Sequence, residues 1–416
     1  MRCFIFIFLF FSSCYSVQSI KSSQGGNKGK NKKPFFSIKK IWIQETFPKD
    51  FTRPSILQSI SPVLIPRVSE NAEFKGLVAR RKETKSTEKL VPVKTGIMPN
   101  RFSSTGLIVQ GNKVNGITAY ILNKGKKRWF FPVKGGLAGN PAVFDGFVFF
   151  GGADGVMYAL HLDTGKILWK YRTGLTNVSA PVVKGRRLYF SSSNKIYCLN
   201  KKTGENIWMY SIPVRSADFT VEGVARPLVS DTFIYFKVSD DTLIALDQKG
   251  RLKWKRELSE ADSRFTSALS DPVLGKACLY ASGLESGLYC LNQKTGKVIW
   301  KTAKGSHGDL LLFGSSLFYP SYDGYVIALD QKSGKEIWRH KVPESIATSL
   351  VLYKDVLVYG EYSGALRFIS IDKGEELQSF HFGTGMSAKP VVSVINSELY
   401  FISNAGWLYK LSLKSL

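Results

Sequence analysis

Apolar residues in this chain come in short bursts, each closed by Gly, Asp or Asn, and the bursts repeat. Between Asn140 and Gly174 they read NPAVFDG, FVFFGGADG, VMYALHLDTG and KILWKYRTG. Each burst is strand length, rich in Val, Phe, Tyr and Ile, and bounded by turn residues. No stretch shows helical periodicity of useful length, so the pattern predicts an all-β chain. From Tyr158 to Gly174 it describes one hairpin: an apolar strand, an Asp-Thr-Gly-Lys turn and a second strand carrying Trp169. Related hairpins carry Trp129, Trp208, Trp254, Trp300 and Trp338, and a degenerate copy, FISIDKGEELQSFHFG, has Gln378 at the Trp position. Copies at a period near forty residues mark a tandem repeat, which overrides any domain count drawn from length.

Four antiparallel strands per unit predict a β-propeller. The last unit supplies three strands, in KPVVSVIN, ELYFISNAG and WLYKLSL (Lys389 to Leu413), and lacks the fourth, Trp-bearing one. Far upstream, KKIWIQETF (Lys39–Phe47) alternates like a strand and carries Trp42. This orphan strand fits the vacancy, completes the last blade and closes a ring of eight, which removes exposed edges. The repeat Trps, from Trp42 to Trp338, hold the same point of their blades, as packing between blades requires. Ser61–Val68 reads as a further strand. The rest of 48–100 is basic and aperiodic, an irregular loop or first-blade insertion.

Residues 1–19 have one positive charge, a short apolar run and small residues after it, the form of a secretory signal peptide too short to span a bilayer as a helix. Phe11-Ser12-Ser13-Cys14 is similar to a bacterial lipobox, with Phe11 where that motif usually has Leu, which makes Cys14 the candidate lipidation site. The alternative is ordinary cleavage at Ser16 or Ser19. Residues 20–38 are rich in Gly, Asn, Ser and Lys, a flexible basic tether, and 39–416 is the propeller. The net charge of +26 predicts attraction to anionic surfaces. Lys126, Lys166, Lys202, Lys249, Lys297 and Lys335 fall in or beside the turn between third and fourth strands. In a propeller those turns share one face, so a basic ring is expected there; lysines that merely solvate turns are the alternative.

Five cysteines do not make a disulfide scaffold. Cys198 and Cys290 hold matching positions of two repeats, where core packing is the favoured reading. A cross-strand Cys278–Cys290 bridge is the alternative. The histidines His161, His307, His340 and His381 show no metal-ligand spacing, and Asp154, Asp163, Asp247 and Asp330 sit in turns that Asp stabilises locally. No catalytic, metal or cofactor-binding residue is nominated, and no nucleic acid is expected as a partner.

The Ala-Leu-Asp-x-x-Thr-Gly-Lys-x-x-Trp repeat resembles that of quinoprotein-type propellers over residues 104–416. Within that superfamily the chain resembles BamB, the lipoprotein subunit of the outer-membrane β-barrel assembly machinery. The further grounds are an exported leader, short-looped blades, N-terminal closure and the Gly-x-x-Tyr-x-Leu ending at Gly406–Leu411. The repeat is lengthened at two neighbouring loops, Val214–Arg226 and Glu257–Leu269. In the family these loops dock the periplasmic domains of the assembly barrel. The resemblance therefore assigns partner binding to Phe219, Val221, Glu222, Gly223, Arg264, Ser267 and Leu269. Glu222 replaces an arginine, and Ser267 and Leu269 stand where aspartates are expected, which leaves room for a diverged partner. The resemblance implies a non-catalytic scaffold, periplasmic, anchored to the outer membrane by lipid and monomeric within its complex. Two rivals stay open: a basic propeller that grips an anionic membrane or cell-wall polymer, and a quinone-dependent dehydrogenase with a Ca²⁺ site over the ring axis.

Overall fold

The computed structural model describes residues 36–45, 61–65, 106–175, 178–193, 195–212, 225–238, 241–258, 270–283, 286–343 and 345–415. The leader, Cys14 and most of 48–100 lie outside them. All regular structure among the described residues is β, in eight antiparallel sheets of four strands. Blade 2 is typical: strand a is Ala142–Phe144, b is Phe147–Gly151, c is Val156–His161 and d is Ile167–Arg172. Blade 1 begins with strand a at Val63–Ile65, so part of the Ser61–Val68 stretch is indeed a strand. Strands a of neighbouring blades meet around the axis, and strand d forms the rim.

Strands b and c read as continuous apolar runs because each blade is covered on both faces by its neighbours. The core is accordingly a set of clusters, each shared between two adjacent blades. Val109 and Ile117 of blade 1 pack with Val148, Phe150 and Leu160 of blade 2. The ring-closing cluster joins Tyr400, Ile402 and Leu408 of blade 8 to Leu64, Ile108 and Tyr120 of blade 1.

Strand d shows why the repeat needs its Trp. Trp169 lies against Gly204, in the c–d turn of the next blade, and its Nε1 donates to the Lys201 carbonyl at 3.0 Å. A Cβ on Gly204 would sit 2.7 Å from the indole, and the residue's φ of 75° is itself one that favours glycine. The same seat recurs for Trp129 on Gly165, Trp208 on Gly250, Trp254 on Gly296, Trp300 on Gly334 and Trp338 on Gly374. Turn and Trp are thus two halves of one joint, made between successive blades.

The N-terminal strand Phe36–Glu45 pairs with Trp407–Ser415 as strand d of blade 8, completing the ring as the repeat predicts. It reproduces the repeat in detail. A register shift leaves Ile41 without a partner just before Trp42, as it leaves Leu168 before Trp169. Trp42 then lies on Gly125 of blade 1. The bulge turns the skipped residue outward, which accounts for exposed Ile41, Leu168, Ile207, Ile299 and Ile337. The strand starts at Phe36, inside the stretch that composition assigns to the tether, because pairing with Ser415 continues to that point.

The absent Trp at position 378 now has a physical reason. Strands c and d of blade 8 come from opposite ends of the described chain, so no turn joins them and no turn glycine faces Gln378. An indole there would lack its seat.

One expectation is corrected. Cys290 does not serve as a free core thiol: it is bonded to Cys278 across strands b and c of blade 5, with Cα atoms 5.3 Å apart. Leu279–Ser282 pairs with Leu288–Leu291, Tyr280 opposite Cys290, which brings Cys278, just before strand b, within bonding reach of Cys290. Cys198 keeps the packing role. It is fully buried, and burial pushes its thiol up to about 12.

Trp338→Ala is expected to lower the unfolding free energy by about 3–5 kcal/mol, read from the urea midpoint. Gln378→Trp is expected to gain nothing, and a gain matching the Trp338 loss would contradict the interlock. Thiol labelling of the denatured, unreduced protein should modify Cys198 and reach Cys278 and Cys290 only after reduction.

Candidate functional site

The two faces of the ring differ in chemistry. One carries the a–b and c–d turns, where Lys126, Lys166, Lys202, Lys249, Lys297 and Lys335 are all exposed. The other carries the d–a connections, including the two long ones. The nominated docking residues Phe219, Val221, Glu222, Gly223, Arg264, Ser267 and Leu269 lie outside the described residues. The structure does describe the feet of both segments. The first leaves blade 3 after Ser211 and enters blade 4 at Leu228, and the second leaves blade 4 after Glu257 and enters blade 5 at Val273.

Those feet are firmly seated. Ile212, Ala225, Leu258 and Ser270 are buried. The Asp271 carboxylate joins the two segments: Oδ1 accepts from the Arg226 backbone N–H at 2.7 Å, and Oδ2 lies 3.1 Å from the Arg226 Nε. Beneath them is a fully buried pair, Lys237 Nζ to Asp241 Oδ1 at 3.0 Å. Lys237 also donates to the Ser282 carbonyl of blade 5 at 2.5 Å, and Leu258 N–H bonds to the Asp241 carbonyl. Burial pulls the Lys237 amine down and Asp241 opposes it. A buried pair of this kind contributes little net stability, but breaking it leaves an unpaired buried charge, so it fixes geometry.

Arg226 and Asp271 belong to a larger set. Each stands two residues before strand a of its blade, as do Ser61, Asn140, Asp309, Ser349 and Lys389. Strands a surround the axis, so this position lines the mouth of the axial channel. Side chains here bond from blade to blade: Ser61 N–H to Asn140 Oδ1 at 2.8 Å, and Asp309 N–H to Ser349 Oγ at 2.9 Å. Lys389 of blade 8 reaches past blade 7 to Asp309 of blade 6 at 3.2 Å. Half of the Arg226 side chain meets solvent. Burial pushes the Asp271 carboxyl up against the pull of Arg226. For Asp309 burial acts in the same sense, but Lys389 and Arg226 outweigh it and hold its carboxyl below the usual range.

This charge pattern bears on the Ca²⁺-quinone reading. The two carboxylates over the axis are each engaged by a cation, and among the described residues no group of three or more His, Cys, Asp or Glu is placed to hold a metal. Such donors do not fit an ion that wants several converging oxygens. The histidines stand apart: His307 and His340 face the Tyr362 and Tyr359 hydroxyls, and burial lowers both imidazoles. Asp247 and Asp330 accept backbone N–H groups within their own turns. The axial ring and the Lys237 pair escape a residue-by-residue reading of the sequence. Its signal was the X-Pro step before strand a, as in Arg226-Pro227, Asp271-Pro272 and Lys389-Pro390.

Among known proteins, the family model for outer membrane protein assembly factor BamB matches residues 113–340 and 272–414. BamB of Shewanella oneidensis is 24% identical over 275 residues, 64% of this chain and 69% of that protein. A tetrathionate hydrolase of Acidithiobacillus ferrooxidans is 24% identical over 318 residues, 73% of this chain but 56% of the hydrolase. The crystal structure of BamB from Moraxella catarrhalis superposes with a TM-score of 0.63 at 20% identity, covering 73% of this chain and 93% of that one.

A double-mutant cycle on Arg226→Ala and Asp271→Ala should return a coupling of about 1 kcal/mol or more. The exposed rim pair Arg339–Glu336 should return about 0.5 kcal/mol or less. Equal couplings would contradict a structural role for the Arg226 pair.

Proposed function

The chain belongs to the family of outer membrane protein assembly factor BamB, and from that premise we propose that it is a non-catalytic scaffold whose enlarged loops bind a partner protein. The partner is the periplasmic domain of an outer-membrane assembly barrel, or a diverged equivalent. The observation that carries this reading is the pairing of Arg226 with Asp271, which joins the feet of two adjacent loops where the repeat is longest. The feet of the two segments are thus held to a rigid ring and to each other, which favours a joint surface. A large interface needs such preorganisation, since ordering free loops on binding opposes affinity.

In this reading Phe219 and Val221 are the apolar anchors and Arg264 the charged contact, in keeping with the dominance of a few residues in protein interfaces. Glu222, Ser267 and Leu269, where the family's pattern differs, tune the surface to this chain's own partner. The protein is exported by the segment 1–19, held through the tether 20–38 and anchored by lipid on Cys14. It acts as a monomer within its complex and uses no cofactor. The paired carboxylates of the axial mouth favour this over a metal-dependent enzyme.

Affinity capture from detergent-solubilised membranes tests the proposal. Wild type should recover the assembly barrel, and Phe219→Ala/Arg264→Ala should reduce recovery at least about tenfold. Equal recovery by both proteins, or a barrel missing from both, would sink it.

A further inference from the structure

The face opposite the enlarged loops holds a recess of about 370 Å³ between blades 3 and 4. Its walls include Lys184, Arg186 and Arg187 from the a–b turn of blade 3, and Asp231 from the a–b turn of blade 4. The floor is locked by hydrogen bonds. Arg187 Nη1 donates to the Gln248 carbonyl at 2.5 Å, the Tyr189 hydroxyl to Gln248 Oε1 at 3.1 Å, and Gln248 Nε2 to the Ser230 carbonyl at 3.2 Å. Lys184 pairs with Asp231 at 2.5 Å. Arg186 is exposed, and its guanidinium has no ion-pair partner among the described residues. Three cations thus face one carboxylate.

The fold alone does not demand this. A second recess on this face, between blades 6 and 7 and nearer the rim, is about 280 Å³ and is lined by Phe313, Ser315, Ser316, Ile337, Trp338 and Asp372, with no cation. The difference is the run Lys184-Gly185-Arg186-Arg187. A second observation concerns orientation. Phe36, where strand d of blade 8 begins, pairs with Ser415 at the c–d-turn end of that blade, on this same face. Exposed Lys249, next to the lining Gln248, lies beside the recess too.

We propose that this recess is a phosphate-binding site that takes the headgroup of an anionic phospholipid. A guanidinium offers paired N–H donors that match two phosphate oxygens, and Lys184 adds a compact charge. The locked floor keeps Arg187 in place without a ligand. A face that binds headgroups lies against the membrane, which turns the face of the d–a connections away from it. The site does not depend on the partner proposed for those loops.

The test uses the full chain with Cys14→Ser, so that no lipid anchor contributes, and flotation with vesicles of phosphatidylcholine alone or mixed with phosphatidylglycerol. Binding should require phosphatidylglycerol. Arg186→Glu with Lys184→Ala should weaken it about tenfold or more, and Lys297→Glu with Lys335→Glu, across the rim, by about twofold or less. These residues are exposed or half-exposed at turns, so unchanged melting temperatures are expected. Equal losses from both double variants would assign the attraction to diffuse rim charge and overturn the site, as would no vesicle binding. Calorimetry with inorganic phosphate separates the sources. Tight binding of free phosphate without vesicle binding would overturn the lipid assignment, whereas competition by phosphate against vesicles supports it.

Discussion

Everything in this protein hangs on the contact between an indole and a glycine of the following blade. The indole needs a flat backbone surface, and the turn needs a residue that tolerates positive φ; glycine meets both demands at once. The contact joins blade to blade, so no unit is complete alone. That is why the core divides into clusters between neighbours rather than one central mass. It also explains where the repeat is allowed to fail. Gln378 is tolerated because the neighbouring blade has no connecting turn to receive an indole.

Closure follows from the same requirement. A ring opened between blades 8 and 1 would expose Leu64, Ile108, Tyr400 and Leu408 to water and leave a bare strand edge. Borrowing strand d from the N-terminal side covers both. It also ties Phe36–Glu45 into the ring.

Rigidity of the ring lets the two faces diverge. On one, connections lengthen and their feet are cross-linked by Arg226 and Asp271. On the other, the turns stay short and collect lysine. Charge is handled differently on each: paired and partly enclosed around the axial mouth, exposed on the turn lysines of the other face. Family membership accounts for the scaffold, but the docking residues named by resemblance depart from the family's pattern at Glu222, Ser267 and Leu269.

By itself the sequence determined the repeat, the all-β class, the number of blades and the closing role of Trp42. Periodicity and turn chemistry are local properties, and each copy reinforces the others. Even the turn aspartates were legible, since they bond to backbone within four residues. What only the tertiary structure decided is contact across blades. Arg226, Asp271, Asp309 and Lys389 are far apart in sequence and meet because the ring brings equivalent positions to one axis. The Cys278–Cys290 bond depended on strand register, and the Lys184–Arg187 recess on a neighbouring blade's Gln248. A repeat announces its own period, but which copies touch, and through which side chains, is set by the closed ring.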